Sequence, residues 1–269
     1  NGSWSPANPM SNIWSSSYKA IQICNQYLAE FQGLTFDELK LNDDYRAQMF
    51  RYTNSFKEAR FLRAYFYFNL VRAYGDVPYF TEMVTTDQVN SLTRTPAQEI
   101  FNAIIAECDK LSTELPADYT KLGLDGIAPA ENGRVTCYAA LALKARAALY
   151  AASPLFNPEN NKDLWRRAAE ANKEVIETCT ANGFKLSKYS ELWGPNNWSN
   201  NEMIFVRRYN GNISTLEEYN FPMGVPGGNS GNCPTQNMVD AYEMKATGKM
   251  WNETGSGYDA SNPYAGRDP

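Results

Sequence analysis

Along residues 58–80, EARFLRAYFYFNLVRAYGDVPYF, the apolar side chains do not keep to one narrow stripe. Phe61, Tyr65, Phe68 and Arg72 share one helical face, and Leu62, Phe66, Leu70 and Ala73 share the next. That spread predicts a helix buried on most of its sides. Gly75 stands where a left-handed C-cap is needed and Pro78 opposes continuation, so the chain should turn and leave as an extended GDVPYF segment. Upstream, Asn42 or Asp43 is placed to cap this helix. An earlier helix is expected from about Asn12 to Phe31, with Ile13, Tyr18, Ile21, Ile23, Tyr27 and Leu28 apolar, Trp14 in the core, and Gly33 ending it.

After GDVPYF the segment TEMVTTDQVNSLTR is polar and reads as extended. Thr95, Pro96 and Gln98 then form a helix start, with Thr95 as N-cap, proline at the first helical position and Gln98 closing a capping box. Ile100, Phe101, Ile104, Ile105, Cys108 and Leu111, spaced by three and four, continue this helix to Leu115-Pro116. Residues 118–132 read as a loop. An alanine-rich helix is expected from Thr136 to about Ser153, its small residues allowing close helix approach. Asp163 should cap the next helix, which runs through Thr178.

The second with the third, and the fourth with the fifth, of these helices make two antiparallel pairs of tetratricopeptide length, separated by long inserts. The expected fold is therefore mostly α, a tetratricopeptide-like α-α superhelix with long irregular loops and minor β. From Phe184 the texture changes to runs of Gly, Asn, Ser and Pro that hold one strand, near 203–209. The chain divides on this reading into a helical scaffold, 1–183, and a loop-rich, ligand-facing region, 184–269. The second region's aromatic content argues against disorder.

Composition narrows the chemistry. The 269 residues are 43% apolar, enough for a substantial core, and the net charge of −5 with scattered Lys and Arg leaves no nucleic-acid footprint. No stretch approaches the ~20 apolar residues of a membrane helix. There is no histidine, which removes Ser-His-Asp triads, Cys-His pairs and HExxH zinc sites. Carboxylate-only chemistry survives, above all glycoside hydrolysis. The five cysteines form no CxxC pair and read as free thiols. No cofactor and no metal site is expected.

The residues 58–80 stretch resembles the signature helix of the SusD/RagB-like family, surface lipoproteins with which Bacteroidota capture glycans beside a TonB-dependent transporter. Four more stretches are similar to the family in the same order: Trp14–Leu28, Gly133–Asn157, Asn201–Phe205 and Pro234–Met244. The resemblance implies a right-handed stack of tetratricopeptide-like helix pairs, a non-catalytic role, an oligosaccharide or polysaccharide ligand and a SusC-like transporter as partner. It also implies an outer-membrane, cell-surface location held by a lipid anchor outside this sequence. Members continue well beyond a phrase like NPYAGRDP, so these residues are expected to be part of a longer protein.

Sugar recognition needs flat aromatic faces against C–H faces of the ring, and planar amides or guanidinium groups for hydroxyls. The stretch from Trp193 to Asn232 supplies both. Tyr219, Asn220 and Phe221 are the first candidates, followed by Tyr209, Arg207 and Trp198. No catalytic residue is assigned. Arg207 has a competing reading as a strand-end ion pair, and Trp198 as a cover over a helix pair. Three rival functions stay open: a RagB-like peptide-uptake protein, a carboxylate glycosidase using an acid such as Glu217 or Glu218, and a scaffold that touches only the transporter.

Overall fold

A computed structural model describes Ser5 and residues 12–124, 133–192, 197–207 and 219–267, with Trp198 given by its backbone only. It packs as two compact units, Asn1–Arg208 and Tyr209–Pro269. In the first unit lie α1 (Trp14–Glu30), α2 (Tyr45–Tyr74), α3 (Thr86–Ser91), α4 (Ala97–Glu114), α5 (Cys137–Ala152) and α6 (Lys162–Ala181). The second unit contains α7, Gln236–Asp240. The described residues form no β-strand ladder; their β character is three isolated bridges, Val77–Thr95, Met244–Lys249 and Met244–Arg267.

Helix α2 is 30 residues long, about 45 Å at the usual rise per residue. Phe61, Tyr67, Phe68, Leu70 and Val71 along it are each no more than 2% exposed. These five side chains spread around the helix, and α1, α4 and α5 pack against it. Tyr65 and Arg72, expected on the buried face, lie at its exposed edge. The N-cap is Asp44, without a side-chain capping bond, rather than Asn42 or Asp43. At the other end Gly75 adopts φ +71° and its N–H returns to the Val71 carbonyl. A Cβ there would meet nothing within 4 Å, so conformation and not crowding requires glycine.

The extended GDVPYF segment is fastened on both sides. The Tyr67 hydroxyl donates to Phe80 O at 2.6 Å and accepts from Phe80 N–H at 2.9 Å, and the Tyr18 hydroxyl donates to Pro78 O at 2.8 Å. Asp76 Oδ1 accepts from Ala97 N–H at 2.8 Å and so caps α4 from outside it. This replaces the expected Thr95/Gln98 box. Thr95 is engaged with Val77, Pro96 is the N-cap, and the Gln98 amide reaches away to donate to Ala151 O and Phe156 O. The capping box that does form belongs to α3, between Thr85 and Gln88, in the segment expected to be extended.

Helices α1, α2, α4, α5 and α6 pack successively on one another, each against the one before it. On α5, Ala139, Ala140, Ala145, Ala147, Ala148, Ala151 and Ala152 are at most 3% exposed, and α4 and α6 both approach it closely there. The turn into α6 is built by Asn157, whose amide spans Ala152 O, Asn161 O and Asn161 N–H. Asn161, not Asp163, is the cap: its Oδ1 accepts from Asp163 N–H at 2.9 Å. This arrangement is the tetratricopeptide-like α-α stack.

Phe184 and Phe205 pack on the helices. Phe184 meets Tyr138 edge-on at 4.9 Å and Phe205 meets Phe61 at 5.5 Å. Met203–Arg207, expected to begin a strand, is irregular because no neighbouring segment supplies a ladder; Arg208 and Tyr209 lie outside the described residues. In the second unit Arg267 is the tie. Its guanidinium pairs with Asp240 at 3.0 Å, donates to Val239 O and Pro263 O, and lies over the Tyr258 ring.

One polar lock joins α2 to the connection before α5. Arg134 donates to both Glu58 oxygens, at 2.8 and 2.7 Å, and Glu58 Oε1 also takes the Asn54 amide at 2.8 Å. The Tyr119 hydroxyl sits 2.7 Å from Val135 O and 3.0 Å from Glu58 Oε1 and accepts from Asn54 at 2.9 Å; burial and the Glu58 charge push its ionisation upward. Glu58→Gln faces an amide N–H₂ toward the arginine fork, and is expected to cost about 2 kcal/mol in a urea melt, discounted for partial exposure. The thiols give a second check. Cys24, Cys108 and Cys179 are buried, burial pushes Cys108 up to about 12, and Cys233 is exposed. A thiol reagent followed by mass spectrometry should label Cys233 first and the buried three only in denaturant.

Candidate functional site

Residues 219–233 fold back on themselves. The Asn232 N–H donates to Tyr219 O at 2.9 Å and the Ser230 N–H to Phe221 O at 3.0 Å, which pairs the two limbs. Between them, turns are closed by Val225 N–H to Pro222 O and by Gly228 N–H to Val225 O. The Ser230 hydroxyl accepts from Met223 N–H at 2.6 Å. Gly228 and Gly231 are required by space. A Cβ on Gly228 would stand 2.3 Å from Pro222 O, and one on Gly231 would stand 2.4 Å from Tyr219 Cδ1.

One edge of the Tyr219 ring thus lies against Gly231, and 54% of the residue is exposed. Phe221 is 44% exposed on the same limb. Beside them Asn232 Nδ2 donates to Asn220 Oδ1 at 2.9 Å, which leaves Asn220 Nδ2 as a donor and Asn232 Oδ1 as an acceptor without partners among the described residues. An open aromatic face next to one donor and one acceptor is what a sugar ring with vicinal hydroxyls requires. Tyr219, Asn220 and Phe221 are consecutive on one limb of this loop, and Asn232 joins Asn220 from the other. Asn232 was not singled out from sequence, because its role arises from pairing across the loop.

Arg207 is an exposed residue of the first unit. Tyr209 lies outside the described residues, as do Trp4, Trp193, Glu217 and Glu218, and the Trp198 side chain is likewise not described. Trp14 packs on Tyr18 and Tyr74 at 5.0 and 5.1 Å, consistent with a structural part.

The first unit carries a cleft of about 670 Å³ between the α4–α5 connection, the end of α6 and residues 199–206. Tyr119, Tyr138, Phe184, Asn182 and Asn200 line it, together with Thr136, whose Oγ1 is buried without a hydrogen-bond partner. Its residues come from four separated stretches, so no local sequence signal marks it. Among the described residues no group of three or more Cys, Asp and Glu converges as a metal site, and no helix is long and apolar enough to cross a membrane.

Residues 2–149 match the family model described as starch-binding associating with outer membrane. The chain belongs to the SusD-like family. A SusD-like protein, P25, of Formosa agariphila is 24% identical over 97% of this chain. The match takes in 47% of that relative, so the chain spans about half its length. The structure of a SusD-like carbohydrate-binding protein from Bacteroides fragilis superposes with a TM-score of 0.69 at 26% identity, covering 95% of this chain and 44% of that one. A laminarin-binding SusD-like protein superposes with a TM-score of 0.52 at 27% identity, over 71% of this chain and 36% of that one. The helical stack described above is thus the SusD-like scaffold, and the family is associated with the outer membrane.

The contact between Gly231 and Tyr219 can be tested directly. Gly231→Ala must push the ring aside, whereas Tyr219→Ala deletes it. Both are expected to weaken ligand binding to a similar extent, while the melting temperature, read by circular dichroism, changes little because the loop is largely exposed.

Proposed function

We propose that this SusD-like chain captures an oligosaccharide or polysaccharide at the cell surface without cleaving it, for delivery to a SusC-like TonB-dependent transporter. The protein would be held at the outer membrane by a lipid anchor. The observation that carries the glycan reading is the 219–233 loop, where Tyr219 and Phe221 present open rings beside the unpaired ends of the Asn220–Asn232 amide pair. Relatives named for carbohydrate and laminarin binding share the scaffold. The cleft lined by Tyr119, Tyr138 and Phe184 offers further surface of the same aromatic and amide character.

A glycosidase needs one carboxyl group held protonated by a raised pKa. Among the described residues, Asp118 and Asp259 are the carboxylates whose ionisation is shifted, and both move the other way, each through hydrogen bonds from its own turn; Glu217 and Glu218 lie outside the described residues. Glu58 is committed to Arg134.

Isothermal titration against plant, host and microbial polysaccharides is the decisive measurement, with chromatography of the supernatant for released sugars. Binding to one glycan class is expected, about tenfold weaker in Tyr219→Ala as one stacking platform is lost, with no new reducing ends. Released oligosaccharides would overturn the non-catalytic reading. Silence across the glycans with binding to peptides would replace it by peptide uptake.

A further inference from the structure

Where α2 meets α5, two arginines gather on one phenol. Phe68 and Arg72 stand one turn apart on α2, and Arg146 and Tyr150 one turn apart on α5. The Phe68 ring is buried and meets Tyr150 edge-on at 5.2 Å. The Arg146 guanidinium carbon lies 5.7 Å from the centre of that ring and the Arg72 carbon 6.0 Å. The Tyr150 hydroxyl's ionisation is drawn downward, first by hydrogen bonding from Arg72; burial opposes this, and Arg146 adds to it. Asn69 Oδ1 accepts from Arg72 at 3.3 Å and fixes it further.

Neither guanidinium has a carboxylate. The ion pairs among the described residues occupy Arg60, Arg134, Arg166 and Arg267 but not Arg72 or Arg146, and both of the latter are exposed. Elsewhere in the stack a cation facing two helices is neutralised: Lys144, two residues before Arg146, is held between Asp109 and Glu174. Like charges on flexible stems would be expected to splay apart unless held. Here cation–π contact with Phe68 and the shared phenol hold them together, which leaves two planar donor forks without a carboxylate partner among the described residues. Seven residues before Arg72 on the same face of α2, Tyr65 exposes part of its ring, 38% of the residue.

We infer that Arg72, Arg146 and the Tyr150 hydroxyl form an oxyanion site that takes the sulfate ester or uronate carboxylate of an acidic glycan. Guanidinium forks match both groups bidentately, and the hydroxyl supplies a third donor. Tyr65 lies along the same helix as a surface for the sugar that carries the charge. The inference rests on the glycan-capture reading and adds the charge class of the ligand.

The test is isothermal titration of the full chain with three probes: a sulfated galactan oligosaccharide, the same oligosaccharide after chemical desulfation, and an oligogalacturonate. Either anionic probe is expected to bind at least tenfold more tightly than the neutral one, an advantage that shrinks as salt is raised. Arg72→Gln and Arg146→Gln should each remove about tenfold of affinity for the anionic probes and leave the neutral one unchanged. Arg146→Lys, which keeps the charge without the fork, should lose only part of the advantage and guards against misfolding of the Gln variants. Wild-type affinity for anionic probes in all three variants overturns the site, and so does equal weakening toward neutral and anionic probes. If the neutral probe binds best and Tyr219→Ala abolishes that binding, glycan capture stands and the oxyanion site falls. If no probe binds, both fall.

Discussion

The structure depends on burying α2 on more than one side. A helix that is apolar along a single stripe can rest on one neighbour, but one with Phe61, Tyr67, Phe68, Leu70 and Val71 all out of water needs neighbours on several. Helices α1, α4 and α5 supply them, and the hydrogen-bonding groups at the end of α2 are shared out accordingly. Tyr67 fastens the outgoing segment, Asp76 in that segment caps α4, and Gln98 at the head of α4 holds the tail of α5. The exit from one helix thereby sets where the next but one begins.

The helices were legible in sequence because their apolar spacing is set by the same burial that stabilises them. The alanine run of α5 and the stop at Gly75 could be read directly for the same reason. The errors fall on α3, read as extended, on the strand expected near 203–209, and on caps. Thr95 and Gln98 have the residue types of a capping box, yet a bridge to Val77 and the free carbonyls at the end of α5 compete for them and win. Asn161 displaces Asp163 for a related reason, since Asn157 has already bent the turn. Local motifs name what a side chain can do, while tertiary partners decide what it does.

The candidate site was legible only in kind. Aromatic and amide residues after Phe184 pointed to the chemistry, and the exposed Tyr219 and Phe221 lie on the limb whose Asn220 pairs with Asn232. Asn232 and Gly231 escaped notice because their parts depend on the two limbs of a loop meeting, which no period in the sequence records. The arginine pair escaped for a similar reason. Arg72 sits inside the signature helix, where it reads as an element of a buried face, and only the neighbouring helix shows that it reaches the surface with a second cation beside it.

The order of packing has a consequence for how the protein can change. Each long helix rests chiefly on its predecessor and its successor, so the stability of the stack approximates a sum of nearest-neighbour interfaces, and folding can nucleate at any adjacent pair. A lineage carrying this fold can therefore lengthen or replace its exposed surface loops while the inherited helices go on folding as before.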